Sequence, residues 1–303
     1  MRNEFASGIV RLAQQDESLI FITGDLGFNA LENVMEVMGS RFINAGVAEQ
    51  NMVGLAAGMA YRGYKVICYS IAPFVVYRCL EQFRNDACLH NHPVFLVGNG
   101  GGYGYGIMGS SHHAIEDIGV LSGLQNMKAY VPAFADEVDA MLDQMVTRAR
   151  PAYLRLGAGP KTPENSQTSG SFRQIITVDE PAINVVSLGP VTANVLAALD
   201  DASLAGKVNV YTAMTLPVDL MPELARQWTG KPLVVVEEHV SIGGLAQQLA
   251  VPLMEQGVAP SRFVSLHAQG YPNGLYGDQK YHQQLSGLDP ASIRATLTTL
   301  LQP

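Results

Sequence analysis

The sequence predicts an α/β protein of two doubly wound domains, each with a mostly parallel sheet. Three observations carry that expectation. Short runs that are apolar almost throughout, at 19–23, 65–71, 93–98 and 152–156, alternate with stretches of helical periodicity. A strand without polar alternation is buried on both faces, as in a parallel sheet covered by helices. The length, 303 residues, is that of two ordinary domains. Residues 157–172, rich in Gly, Pro, Ser, Thr and Asn and without periodicity, read as a linker between two such series. The expected organisation is a first domain over 1–158, a linker over 159–180 and a second domain over 181–303.

The first domain opens with an amphipathic helix over 3–15. The strand at 19–23 ends in Gly24-Asp25 and therefore in a loop. A helix near 30–38 and a strand at 41–44 follow. Residues 44–60 form a helix made mostly of small and apolar side chains, with one acid, Glu49, near its start. Gly54, Ala56, Ala57, Gly58 and Ala60 let another backbone approach closely, so this helix is expected to be central and tightly packed, against a second subunit if not against this chain. Strands are expected at 65–71, 93–98, 127–131 and 152–156, and helices over 74–88, 114–124 and 135–147. A long Gly-rich loop occupies 98–109. The second domain has expected strands at 183–188, 208–214, 232–237 and 263–267, with helices near 191–199, 222–227, 243–254 and 291–301.

Composition bounds the function. Hydrophobic residues make up 48% of the chain, enough for sizeable cores, and the net charge is −8. With no basic patch, a nucleic-acid or membrane-surface role is disfavoured. No apolar run is long enough to span a bilayer, and the N-terminus lacks a signal-peptide pattern. Cys68, Cys79 and Cys88 form no Cys-x-x-Cys pair and read as buried thiols of a reducing compartment, so a cytoplasmic protein is expected.

Helical spacing puts Glu49 on one face with Met52, Val53 and Ala56. A carboxyl on such a face is costly to bury without a partner or a raised pKa. A surface acid favoured by the positive end of the helix dipole is the competing reading, and the helix alone leaves both open. Gly104-Tyr-Gly106-Ile-Met-Gly109 has the form of a dinucleotide fingerprint. It starts well past the strand end, so the tight strand-turn-helix geometry is lost. A ligand-shaped loop is the better reading. His112-His113 with Glu116-Asp117 lacks metal-ligand spacing, and the two acids suit the first turn of the next helix. A His after a Gly-rich loop at the end of a parallel strand is expected to face a ligand crevice. His90 and His92 read as surface loop, and Glu237-Glu238-His239 as a domain interface ahead of a functional site.

Taken together, these pieces resemble the C-terminal half of transketolase and its thiamine diphosphate-dependent relatives. The resemblance covers nearly the whole chain. It rests on Met-Arg-Asn-Glu-Phe-Ala-Ser-Gly, Thr23-Gly-Asp25-Leu26-Gly, Gly46-Val-Ala-Glu49-Gln-Asn, Glu81-Gln-Phe-Arg84-Asn85-Asp86, Ser111-His112-His113-Ala-Ile-Glu116-Asp117, Gln125-Asn-Met-Lys-Ala-Tyr-Val-Pro132-Ala and Val236-Glu-Glu-His239 followed by Gly243-Gly244. Their order and spacing make the match specific. It implies a pyrimidine-binding domain followed by a transketolase C-terminal domain.

In that family a Glu hydrogen-bonds the far ring nitrogen of the cofactor's aminopyrimidine, favouring the tautomer that takes the thiazolium proton. The resemblance assigns this part to Glu49, in an apolar pocket where its proton is held. It gives Phe74 the stacking ring, Tyr77 a place in the pyrimidine pocket, Asp25 a place near the cofactor, and His112 a place beside the reacting substrate carbon, with His113 next to it. Core packing is the competing reading for Phe74 and Tyr77. No stretch of this sequence resembles the diphosphate- and metal-binding domain of full transketolase. The expected state is therefore one half of a split enzyme, an α2β2 heterotetramer. A separate subunit would hold the diphosphate with Mg2+ or Ca2+. The expected reaction is transfer of a two-carbon ketol or acyl unit to an aldehyde or ketone acceptor.

Three family positions depart. An acidic residue becomes Met108, a basic one falls at Gly100, and an Arg falls at Ala158. Charged donors anchor phosphate, so a less polar or unphosphorylated substrate is expected. A deoxyxylulose-phosphate synthase-like carboligase and a 2-oxoacid dehydrogenase beta subunit are the enzyme alternatives; Tyr77 and the 81–86 run favour transketolase. A nucleotide-binding protein and a catalytically silent partner subunit are the readings from other classes.

Overall fold

A computed structural model describes residues 1–27, 30–164 and 166–302. In chain order, the elements that build the first sheet and its covering helices are α1 (Arg2–Gln15), β1 (Leu19–Thr23), α2 (Glu32–Met38), β2 (Phe42–Asn44), α3 (Glu49–Tyr61), β3 (Lys65–Ile71), α4 (Ala72–Tyr77), α5 (Leu80–Gln82), β4 (Val94–Asn99), α6 (Asp117–Ser122), β5 (Lys128–Tyr130), α7 (Glu137–Arg148) and β6 (Ala152–Leu156). There follow β7 (Gln167–Ser169), β8 (Phe172–Ile176), β9 (Ile183–Leu188), α8 (Thr192–Ala198), β10 (Val208–Ala213), β11 (Thr215–Leu216), α9 (Pro222–Gln227), β12 (Leu233–Glu237), α10 (Leu245–Glu255), β13 (Phe263–His267), α11 (Gln279–Leu285) and α12 (Pro290–Leu300).

The first sheet has the order β11-β5-β6-β4-β3-β1-β2. All its neighbours are parallel except β11, which pairs antiparallel with β5. Successive side chains of a strand point to opposite faces. Leu19, Phe21, Ile67, Tyr69, Phe95 and Val97 therefore meet α1, α2 and α7 on one side. Ile20, Ile22, Val66, Cys68, Val94 and Leu96 meet α3, α4 and α6 on the other. This double burial is why the strands read as continuous apolar runs. Gly8 in α1 lets α7 close in: a Cβ there would sit 2.7 Å from Leu142 Cδ1.

The second sheet has the order β13-β12-β9-β10-β8-β7 and is parallel from β13 to β10. One face packs on α8 and α12. The other joins the cluster beneath the first sheet, where Phe172, Tyr211 and Trp228 share a core with Leu96 and Tyr153. The chain is α/β with two mostly parallel sheets, as the sequence predicts.

Four features differ from the sequence expectation. The stretch expected as a linker carries β7 and β8, which add antiparallel strands to the second sheet; Asn165 within it lies outside the described residues. The helix expected over 74–88 breaks at Cys79, whose φ of −118° is not helical, and resumes as α5 and a wider π turn at Phe83–Cys88. The helix expected from 114 starts at Asp117, because Ala114 exchanges both backbone hydrogen bonds with Gly102, each 2.9 Å. Finally, α11 and β11 have no counterpart among the expected elements. Among the described residues, no helix is long and apolar enough to cross a membrane. The three cysteines are buried free thiols.

Candidate active site

The C-terminal ends of β1, β3, β4 and β6 lie along one edge of the first sheet and deliver Gly24-Asp25, Ser70, Asn99 and Gly157 to it. Ligands of open α/β sheets bind along that edge. Glu49, the first residue of α3, is brought beside it: a Cβ on Gly24 would lie 3.5 Å from Glu49 Oε1. The carboxylate is 3% exposed. The Ser70 hydroxyl donates to Oε1 at 3.1 Å, and the Arg78 guanidinium donates to Oε2 at 3.0 Å. Glu49 is therefore buried, which decides between the two readings its helical face left open. Its surroundings differ from the apolar, proton-holding pocket that was expected, since a cation faces it.

Phe74 lies on the other side of that cation. The Arg78 guanidinium carbon stands 3.9 Å from the Phe74 ring centroid. His112 meets the same ring edge-on, with centroids 5.1 Å apart, and takes a 3.0 Å hydrogen bond between Nδ1 and the Ser111 hydroxyl. Tyr77, one turn after Phe74, donates from its hydroxyl to Glu116 Oε2 at 3.0 Å and accepts from the Glu116 backbone N–H at 3.3 Å. Burial, with the charges of Asp117 and Glu116, holds the Tyr77 hydroxyl far above the usual phenol range. Glu49, Phe74, Tyr77 and His112 therefore belong to one neighbourhood.

Asp25 has φ of +58° and accepts from Asn44 Nδ2 at 2.9 Å. It borders a recess together with Arg2, Tyr69, Asn99 and Tyr105. A neighbouring cavity of about 410 Å³ is lined by Arg2, Gly100, Tyr105, Ala158, Glu238 and Gln279, among others. Two of the departing family positions, Gly100 and Ala158, lie on its wall. The third, Met108, is 55% exposed and is not part of that wall. Gly100 has φ of +72°, and a Cβ there would collide with the Tyr105 ring, so a basic side chain has no room. Tyr105 is held by Asn99 Nδ2 at 2.9 Å, and its ring lies 6.0 Å from His112, which links the cavity to the Phe74 neighbourhood.

Two expectations need correction. His113, expected beside the substrate with His112, turns the other way and is buried. Its Nε2–H donates to the Gly106 carbonyl at 2.7 Å, so Nδ1 accepts from the Tyr271 hydroxyl at 2.8 Å. Burial lowers its pKa, which keeps the ring in this neutral, doubly bonded form. The second concerns positive charge. Counting from His112 and Arg155 puts Met108, Gly100 and Ala158 where the family has charged residues. Arg2 nevertheless reaches the cavity from α1, beside Arg155, whose guanidinium is committed to Asp117. Sequence counting missed Arg2 because it enters from a helix remote in the chain from those landmarks. It missed Arg78 because an Arg in an apolar helix reads as a solvated charge.

The remaining polar groups hold the two halves together. Arg155, buried at the end of β6, donates from Nε to Asp117 Oδ2 at 2.9 Å and from Nη2 to the Ala114 and Glu238 carbonyls at 2.6 and 3.1 Å. Glu238 accepts from the Tyr103 backbone N–H at 2.6 Å and from Gln279 and Gln283. His239 Nε2 accepts from the Gly119 backbone N–H at 3.0 Å. Glu237 accepts from the first N–H groups of α10, at 2.6 Å from Leu245 and 3.0 Å from Ala246. Glu238 and His239 thus serve the interface, while Glu237 caps α10 within the second domain. With Asp117 and His113 committed in this way, the His112–Asp117 run presents no ligand set for a metal.

Comparison with known proteins follows the same lines. The family model described as the transketolase pyrimidine binding domain matches residues 1–159. One of the subunits of the apulose-4-phosphate transketolase of Actinobacillus succinogenes is 32% identical over 261 residues, covering 84% of this chain and 82% of that one. The corresponding apulose-4-phosphate transketolase chain of Phocaeicola vulgatus is 28% identical over 303 residues, covering 97% and 95%. Among solved structures, a split gene transketolase described as an inactive beta4 tetramer superposes with a TM-score of 0.83 at 26% identity. It covers 99% of this chain and 97% of its own.

Proposed function

Since the chain belongs to the transketolase family, we propose that it is the second subunit of a split, thiamine diphosphate-dependent transketolase-like enzyme. In this reading, residues 1–158 are the pyrimidine-binding domain, 181–303 the C-terminal domain, and 159–180 the connection between them. A separate subunit carries the diphosphate site and its Mg2+ or Ca2+, and the assembly is an α2β2 heterotetramer of the cytoplasm, active only when complete. The reaction is transfer of a two-carbon ketol or acyl unit to an aldehyde or ketone.

The observation that carries this reading is the spacing of Glu49 and Phe74. A buried carboxylate oxygen and an aromatic face stand on two sides of one planar, N–H-bearing group, the Arg78 guanidinium. A gap of that width and polarity fits an aminopyrimidine ring, with Phe74 against its face and Glu49 at its edge. The chemistry such a cofactor supplies is a nucleophilic carbon that carries the two-carbon unit. This chain's residues do the rest. Ser70 fixes Oε1, which would leave Oε2 of Glu49 to hydrogen-bond the ring and to hold or release a proton there. Tyr77, pinned by Glu116, would stand at the pyrimidine pocket, and Asp25, at the end of β1, near the cofactor. His112 orients the substrate or moves its proton from the mouth of the Gly-rich loop.

The substrate is a non-standard one. Gly100, Met108 and Ala158 supply none of the usual polar contacts, and Arg155 is already paired with Asp117. Arg2 brings a positive charge to a cavity whose wall also carries Arg155, Glu4 and Glu238, which weakens the argument for an unphosphorylated substrate and leaves room for one with an anionic end. Competition by ribose 5-phosphate during turnover separates these: tight saturation supports an anionic end and excludes the unphosphorylated class.

The cofactor role of Glu49 is tested by Glu49→Ala in the complex of this chain with its partner. Retained assembly with turnover reduced at least a hundredfold, in the usual range for a lost acid–base group, supports it. Turnover within a factor of three of the parent excludes it.

A further inference from the structure

The Arg78 side chain takes both contacts on which the cofactor reading of Glu49 and Phe74 depends. Its Nη1 lies 3.0 Å from Glu49 Oε2, the oxygen that Ser70 leaves free. Its guanidinium carbon lies 3.9 Å from the Phe74 centroid. The guanidinium is flat, cationic and rich in N–H donors, so it satisfies a carboxylate edge and an aromatic face together. A ring that stacks on Phe74 and hydrogen-bonds Glu49 cannot be present with Arg78 in this position. The Glu49 side chain is 2% exposed and that of Arg78 is 46% exposed. The acid is therefore fixed while the base has solvent to swing into. A cavity of about 410 Å³, lined by Val47, Ala48, Gln50 and Asn51 as well as by Glu49 and Arg78, opens at that point.

We infer that Arg78 sets how tightly this subunit takes its cofactor, by occupying the pyrimidine's place on Glu49 and Phe74 until the ring displaces it. Arg78 is a positioning residue in this account. It acts through Glu49, keeping a buried carboxylate paired while the site is empty, and it leaves when a better planar partner arrives. The inference rests on the cofactor reading above and goes beyond it by making Arg78 a competitor of the ring.

The occupied state lowers apparent affinity by the fraction of sites left open. A charge-assisted hydrogen bond together with a half-exposed cation–π contact corresponds to about nine sites in ten occupied, an effect of about tenfold on Kd. The test is calorimetric titration of thiamine diphosphate into the complex of this chain with its partner, using the parent, Arg78→Ala and Arg78→Lys. The expected result is a Kd about tenfold lower for Arg78→Ala, with Arg78→Lys between the two, because an ammonium keeps the charge but covers the ring less well. Melting temperature and co-elution with the partner verify that the variants fold and assemble. An unchanged or weaker affinity for a folded Arg78→Ala complex overturns the inference. If that variant does not assemble, the structure of the parent complex with cofactor decides: Arg78 off both Glu49 and Phe74 supports the inference, and Arg78 still on both overturns it. Failure of the parent complex to bind thiamine diphosphate at all refutes the cofactor reading itself, and the inference falls with it.

Discussion

Replacing Asp117 by Ala removes the counter-charge from the most deeply buried cation of the chain. The Arg155 side chain is 4% exposed and that of Asp117 is fully buried, with 2.9 Å between Nε and Oδ2. The Tyr153 hydroxyl donates to the same oxygen at 2.7 Å. The variant leaves Arg155 with only its two carbonyl acceptors and leaves the Tyr153 hydroxyl without this one. Breaking a buried pair from one side costs about 3–5 kcal/mol, and the lost Tyr153 bond roughly another 1 kcal/mol. Asp117 Oδ1 is buried without a partner, so its removal returns part of that. The net expectation is about 4 kcal/mol. At roughly 2–4 °C per kcal/mol for a chain of this size, the melting temperature falls by about 8–16 °C. Thermal melts followed by circular dichroism, with urea titration for the free energy, measure it. The double variant Asp117→Ala with Arg155→Met removes both charges and should recover much of the loss. A fall of under about 3 °C for the single variant, or a double variant no better than the single, refutes the claim that this buried pair holds β6 to the start of α6.

Other predictions follow from individual contacts. Gly98→Ala would place a Cβ 2.7 Å from the Tyr153 hydroxyl and 2.9 Å from Ala72 Cα, so a loss of about 1–3 kcal/mol is expected in urea titration. Burial raises the Glu237 carboxyl to about 7 from an ordinary 4.5. The folded state therefore binds the proton more tightly than the unfolded one. This group's contribution is fully present below about pH 4.5 and is lost as pH rises through about 7, by up to roughly 3 kcal/mol. Glu237→Gln should flatten the stability–pH curve across that window, and an unchanged slope would remove Glu237 as its source. Tyr77→Phe loses the bond to Glu116 at the rim of the site. It should leave the melting temperature within a few degrees of the parent and weaken cofactor binding severalfold, as measured by calorimetry.

Much of this architecture was legible because burial on both faces leaves a plain mark. The strands at 19–23, 65–71, 152–156 and 183–188 coincide with β1, β3, β6 and β9, whose apolar runs have few competing readings. The helical face of Glu49 left a buried and a surface acid both open, and only the resemblance favoured the pocket and its proximity to Phe74. What escaped was set by tertiary contacts. Cys79 breaks its helix within an unremarkable apolar sequence, and its thiol faces the Val75 carbonyl at 2.6 Å. The strands β7 and β8 are partly exposed and polar, and they form because the edge of the second sheet offers partners. His113 and His112 are adjacent in sequence, and only the positions of Tyr271 and Gly106 decide that one faces inward. Arg2 and Arg78 carry ordinary surface charges in the sequence and acquire meaning from what they reach.

The central claim is that this chain supplies one half of a thiamine diphosphate site. The most direct measurement is mass spectrometry of the complex isolated gently from its native cells through a tag on this chain, reading both the accompanying polypeptide and any released small molecule. The account predicts a partner bearing a diphosphate- and metal-binding domain, in equal amount, together with thiamine diphosphate. A partner of a different kind, in a complex that carries no thiamine diphosphate even when the cofactor is supplied throughout isolation, would contradict it.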